Sequence, residues 1–182
     1  SHLSGKGRDV TNPNIFPASR GRASTAELAL AVSTFAIGTG EFTLMGVLPD
    51  LARALGVSVP QAGHVISAYA LGVVVGAPLI ATIGARMDRR RLLLVLMAVF
   101  VAGNLASALS PGYGALFCMR FVTGLPHGAF YGVAALVMAA MADPVRRGRA
   151  VGSVFVGLTV AHVVGVPLTT WGGQVLGWRA MY

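Results

Sequence analysis

Five long apolar runs follow one another along the chain, each with one charge or none. Residues 28–48 hold only Glu41, 62–83 and 92–109 hold none, 114–141 hold only Arg120, and 150–171 hold none. A bilayer core about 30 Å thick takes about 20 apolar residues as helix. The pattern predicts an all-α membrane protein, a helical transmembrane bundle with spans at about 28–48, 62–83, 92–109, 114–141 and 150–171. Five buried helices of a water-soluble core are the competing reading. Helices of that kind seldom run 20 residues without a charge.

The separators read as loops. Residues 49–61 carry Asp50 and Arg53, and 84–91 read Gly-Ala-Arg-Met-Asp-Arg-Arg-Arg. Pro111 and Gly112 mark a short turn at 110–113, and 142–149 read Ala-Asp-Pro-Val-Arg-Arg-Gly-Arg. Residues 1–26 are polar and begin without Met, as an expression remnant or loose cytoplasmic tail would. After the fifth run, Gly177-Trp178-Arg179 reads as an aromatic and a cation at a water interface, opening a sixth helix.

Composition narrows the class. The AVILMFWYC set makes up 55% of 182 residues and charged residues 11%, against about 25% charged in soluble chains. That excludes a disordered chain and argues against a soluble globule. A single Cys excludes an intrachain disulfide framework and a Cys-rich zinc site. The net charge of +8 raises nucleic acid as a partner, but the cations do not form one stripe with stacking aromatics. Eleven of the 14 Lys and Arg fall in the N-terminal tail, the second loop and the fourth loop, while Arg53 and Arg179 lie opposite. The positive-inside rule then predicts a cytoplasmic N-terminus. The partners expected are the lipid bilayer, a small-molecule substrate and protons, with no nucleic acid.

Ionisable groups within spans are costly, about 2.5–3.5 kcal/mol at mid-helix, so Glu41 and Arg120 carry the most information. Glu41 lies about 10 Å from the outer end of its span at 1.5 Å per residue, and Arg120 lies at a similar depth on an antiparallel helix. They either pair or share a water-filled space. Glu41 is read as a proton carrier, against a structural partner of Arg120. Arg120, Thr123, His127 and Tyr131 recur at spacings that place them on one helix face. That face should meet a cavity or another helix. His127 titrates near neutral pH when unperturbed, and a satisfied structural histidine is the alternative. His162 reads as structural and His64 as interfacial. Gly72 with Gly76, Gly124 with Gly128, and Ala161 with Gly165 are small-xxx-small pairs that bring helices close in lipid.

No His-Glu-x-x-His, phosphate loop or Gly-x-Ser-x-Gly elbow occurs. Nor is a paired nucleophile and base visible for an intramembrane hydrolase. The chain is not expected to be an enzyme, and no cofactor or metal is expected.

Gly84-Ala85-Arg86-Met87-Asp88-Arg89-Arg90-Arg91-Leu92 resembles the loop signature Gly-x-x-x-Asp-Arg-x-Gly-Arg-Arg of the major facilitator superfamily. Arg120, Gly124 and Gly128 resemble its helix-four motif. Gly157, Ala161, Gly165 and Pro167 resemble the helix-five motif of its antiporter branch. Gly40-Glu41-Phe42 with Leu48-Pro49 is similar to helix one of drug:proton antiporters of the chloramphenicol-resistance and arabinose-efflux type. Gly177-Trp178-Arg179 is similar to the start of helix six.

The resemblance covers about residues 26–182. It implies part of the N-terminal half of a twelve-helix fold built from inverted three-helix repeats, with helices one and four lining a central cavity. It further implies efflux of small amphipathic, chloramphenicol-like molecules in exchange for protons, by a monomeric full-length parent in the cytoplasmic membrane. Glu41, Arg120 and His127 would serve proton coupling, and Thr34, Thr123 and Tyr131 the substrate cavity. Gly84, Asp88 and Arg89 would belong to a cytoplasmic gate. Gly157, Gly165 and Pro167 would shape helix five where the two halves meet. Export of sugars or purine-like metabolites is the alternative within transport. A non-transporting subunit or inactive fragment is the alternative outside it.

Overall fold

The computed structural model describes residues 20–182, with side chains from Thr25 onward. Most of the expected tail, 1–26, lies outside the described residues, and from Arg20 the chain is already helical. Among the described residues there is no strand. Five helical stretches are long and apolar enough to cross a membrane: Thr25–Leu55, Val59–Arg86, Arg89–Ala108, Tyr113–Met141 and Pro144–Leu176. Their outward faces carry exposed Leu71, Val74, Leu94, Leu105, Val163 and Leu168. Such a surface suits lipid, since the backbone of each span satisfies its own hydrogen bonds.

Helix α1 spans Arg20–Leu55 and runs past Pro49, where the sequence pattern ended the span. The proline removes one backbone donor, and the chain bends locally, with Val47 at φ −118°, ψ 15°. Beyond this kink a second helical stretch runs on to Leu55, with Leu51 and Ala52 buried with Ala62, Val65 and Leu116. It stops at Gly56, which turns the chain at φ 65°. Helix α2, Val59–Ile83, begins at Ser58, whose hydroxyl accepts from the Gln61 N–H at 3.3 Å. Helix α3, Arg89–Ala108, begins at Asp88, whose carboxylate accepts from the Arg91 N–H at 3.1 Å. Both are side-chain caps on otherwise orphaned first-turn donors.

Helix α4, Tyr113–Met141, lies against α2 and α3. The α2–α4 contact has no room for side chains at its closest points. A methyl group added at Gly72 would strike the Phe121 carbonyl, one at Gly76 the Leu125 backbone, and one at Gly124 the Tyr69 carbonyl. The small-residue spacing thus marks a true helix–helix seam.

The fifth span is not one regular helix. Short helices α5 (Arg147–Val154), α6 (Val156–Val160) and α7 (Val166–Leu176) are joined in part by a π-helical turn, Ala161–Gly165. Pro167 has no N–H to give to the turn before it, and a π turn absorbs such a break. This span lies along α1.

Two apolar clusters fill the bundle. Leu44, Val47, Leu51, Val65, Leu116 and Trp178 form one. Leu30, Ile37, Leu96, Phe100, Phe130 and Met138 belong to the other. Glu41 of α1 and Arg120 and His127 of α4 fall between members of the two clusters along their helices. Trp178, which opens the expected sixth helix, is buried against the bundle at 4% exposure. Gly177, at φ 87°, turns the chain inward, and the Arg179 guanidinium stacks on Trp178 and donates to the Ser110 carbonyl at 3.0 Å.

Candidate functional site

The polar layer between the clusters gathers side chains from two helices. Glu41 comes from α1 and Arg120 and His127 from α4, and they are bordered by Tyr69 of α2 and Tyr131 of α4, both members of the second cluster. Glu41 is partly exposed and His127 largely buried, with side-chain exposures of 29% and 12%, and His127 Nε2 stands 3.8 Å from Glu41 Oε2. On its other side, His127 Nδ1 is 2.7 Å from the Tyr69 hydroxyl. The His127 ring also lies against Tyr131, with centroids 5.1 Å apart. The Tyr131 hydroxyl donates to the Thr34 carbonyl at 3.1 Å, which ties α4 to α1.

Arg120 is fully buried. Of the two arrangements open to it, pairing with Glu41 is not the one seen: no ion pair joins the two among the described residues. Its three guanidinium nitrogens have no hydrogen-bond partner there. Instead the guanidinium sits 4.2 Å over the Tyr69 ring and 5.5 Å over that of Tyr182. A cation over a desolvated aromatic face gains about 2 kcal/mol. That offsets only part of the cost of an unpaired buried charge. Arg120 and His162 still act on Glu41 through space. The His162 Nδ1–H donates to the Leu158 carbonyl at 2.8 Å, and its ring lies tilted against Phe42, with centroids 4.2 Å apart.

Thr34 and Thr123, expected on a cavity, are both fully buried in helix–helix contacts. The Thr34 hydroxyl donates to the Ala31 carbonyl and faces Gly157. The Thr123 hydroxyl donates to the Met119 carbonyl and faces Gly103 of α3. Gly157 and Gly165 also turn inward, to α1, where a side chain would meet Thr34 and Thr39. The close approach of α1 accounts for this placement. Pro167 follows them at the start of α7.

Gly84, Asp88 and Arg89 come together at the α2–α3 connection. Gly84 is buried beneath Leu92, while Asp88 and Arg89 are exposed. Gly84 and Arg89 line a groove of about 530 Å³ between α2 and α4, walled by Ala77, Ala81, Gly128 and Gly132. No group of three or more His, Cys, Asp or Glu able to hold a metal occurs among the described residues.

Tyr69 is the site residue that the sequence pattern did not single out. Its signal was its place three residues before Gly72 and seven before Gly76, on the face that meets α4.

Residues 30–182 match the model of the Major Facilitator Superfamily. The chain belongs to that superfamily. It is 47% identical over 155 residues to the inner membrane transport protein YdhP of Escherichia coli, covering 85% of this chain and 40% of that protein. It is 44% identical over 154 residues to YtbD of Bacillus subtilis, an uncharacterized transporter of the same superfamily, covering 85% of this chain and 39% of that one. To the chloramphenicol resistance protein of Streptomyces lividans it is 40% identical over 153 residues, covering 84% and 39%. The chain thus spans about two fifths of the length of these relatives. It is a multi-pass membrane chain of a superfamily whose transporters carry small molecules.

Proposed function

We propose that the protein to which this chain belongs exports small amphipathic molecules, chloramphenicol among them, in exchange for protons. The observation that carries this reading is Glu41: a carboxylate within a membrane span, open enough to exchange a proton and 3.8 Å from a histidine. An ionisable group at such depth is costly, and groups of this kind mark substrate and proton pathways. Arg120 tunes Glu41 from a distance and His127 from contact. Tyr131 borders the same space, whereas Thr34 and Thr123 serve in packing. The relative named for chloramphenicol resistance supports the substrate class.

In this reading the N-terminus and the loops at 84–91 and 142–149 face the cytoplasm, and Gly84, Asp88 and Arg89 form a gate there. Helix five, with Gly157, Gly165 and Pro167, braces α1. The transporter works as a monomer.

The full-length protein in inside-out vesicles should accumulate chloramphenicol against its gradient when the interior is acid. Accumulation should cease when the pH difference is collapsed at constant membrane potential. Uptake that is indifferent to the pH difference would remove proton coupling from the reading. Orientation is checked separately. A reporter fused near Arg147 should be active only as a cytoplasmic fusion and one near Gly112 only as a periplasmic fusion. The opposite pattern discards the orientation and with it the gate.

A further inference from the structure

The geometry points to Tyr69 as a positioning residue that selects the tautomer of His127 with Nε2 protonated and turned to Glu41. Its bearing on transport rests on the efflux reading above.

Two contacts on Tyr69 favour one direction for its hydrogen bond. The phenol oxygen is 2.7 Å from His127 Nδ1, a distance at which one of the two must donate. The Arg120 guanidinium lies 4.2 Å over the same phenol ring. A cation there draws electron density from the ring and its oxygen, and so favours the phenol as donor over acceptor. Neutral imidazole has one donor and one acceptor nitrogen. If Nδ1 accepts from Tyr69, Nε2 carries the proton. Nε2 is the nitrogen that faces Glu41, at 3.8 Å, and an ionised carboxylate only accepts. The demands from both sides of the ring therefore select one tautomer.

The surroundings hold few rivals for this role. The titratable or charged groups around His127 are Glu41 from α1, Tyr69 from α2, and Arg120 and Tyr131 from α4 itself, with His162 of the fifth span acting on Glu41. Tyr131 gives its hydroxyl to the Thr34 carbonyl. The Arg120 cation makes no hydrogen bond to the imidazole. Tyr69 is itself only 2% exposed and held edge-on to the His127 ring, with centroids 5.7 Å apart.

The variant is Tyr69→Phe, which keeps the ring beneath Arg120 and removes only the hydroxyl. The full-length protein, labelled with ¹⁵N at the histidine ring nitrogens, is placed in lipid, and His127 is assigned by difference with His127→Gln. Wild type should show a single neutral form with Nε2 protonated and Nδ1 as hydrogen-bond acceptor. Tyr69→Phe, eluting like wild type in gel filtration, should show a mixture of both tautomers. The pH midpoint of chloramphenicol efflux should rise by about half a unit, the scale of one lost hydrogen bond. The carboxylate then no longer faces a fixed N–H 3.8 Å away, and the imidazole loses the bond from Tyr69 that held it neutral. The same single tautomer in both proteins, or Nδ1 protonated in wild type, overturns the assignment. A wild-type protein that moves no chloramphenicol refutes the efflux reading alone, because the ring-nitrogen signals still decide the role of Tyr69.

Discussion

Replacing Glu41 with glutamine is expected to abolish uphill efflux driven by a pH gradient, while leaving the protein folded and inserted. Glutamine keeps the shape of the side chain and its capacity to hydrogen-bond, but it fixes the neutral state. Exchange requires that one group alternate between charged and neutral forms, once for each proton moved. Among the described residues, Glu41 is the only carboxylate in the polar layer between the two apolar clusters. Insertion should not suffer, since removing a charge from mid-span relieves a cost of about 2.5–3.5 kcal/mol. The measurement is chloramphenicol accumulation against an imposed pH gradient, for wild type and Glu41→Gln at equal expression. Downhill movement of the drug through the variant is compatible with the assignment. Uphill export with the wild-type pH dependence is not, and would leave Glu41 a structural role and His127 as the next candidate.

Much of this architecture was legible in the sequence because the bilayer imposes a length and expels charge. The five apolar runs met that length, so Glu41 and Arg120 stood out as the charges that remained within them. The small-xxx-small spacing of Gly72, Gly76, Gly124 and Gly128 located a seam correctly, since only small residues let backbones touch.

What was not legible depended on which neighbour each face meets. Pro49 reads as a stop, and the helix does break its geometry beside it at Val47, but a further helical stretch runs on to Leu55, where Leu51 and Ala52 are buried. Thr123 shared a spacing with Arg120 and Tyr131. At about 100° per residue it lies about 60° from the first and about 80° from the second, enough to turn it to α3. Thr34 is on the Glu41 side of α1 but two turns away, where the fifth span comes close at Gly157. Tyr69 was hidden in a run without charge. Its role emerges only when the α2–α4 seam sets it between Arg120 and His127.

That seam is where a single side chain should do the most structural damage. Gly76→Ile is expected to cost about 3 kcal/mol or more and to deplete the folded protein. Overpacking costs about 1–3 kcal/mol when side chains can shift. Here the obstacle is backbone: a Cβ at Gly76 would lie within 2.6 Å of the Leu125 carbonyl carbon, with the carbonyl oxygen closer still. Relief requires α2 and α4 to separate, and separation also draws Tyr69 away from His127 and Arg120. Lost folding and lost chemistry should therefore appear together. Gly132→Ala is the matched control on α4, since nothing lies within 4 Å of a Cβ there. It removes a helix-interior glycine and should be neutral or slightly stabilising. Both are read as the thermal midpoint of the monodisperse peak in detergent, full-length protein against full-length protein. Equal midpoints for Gly76→Ile and wild type would mean that the two helices do not pack at this distance, and the polar layer they define would then have to be redrawn.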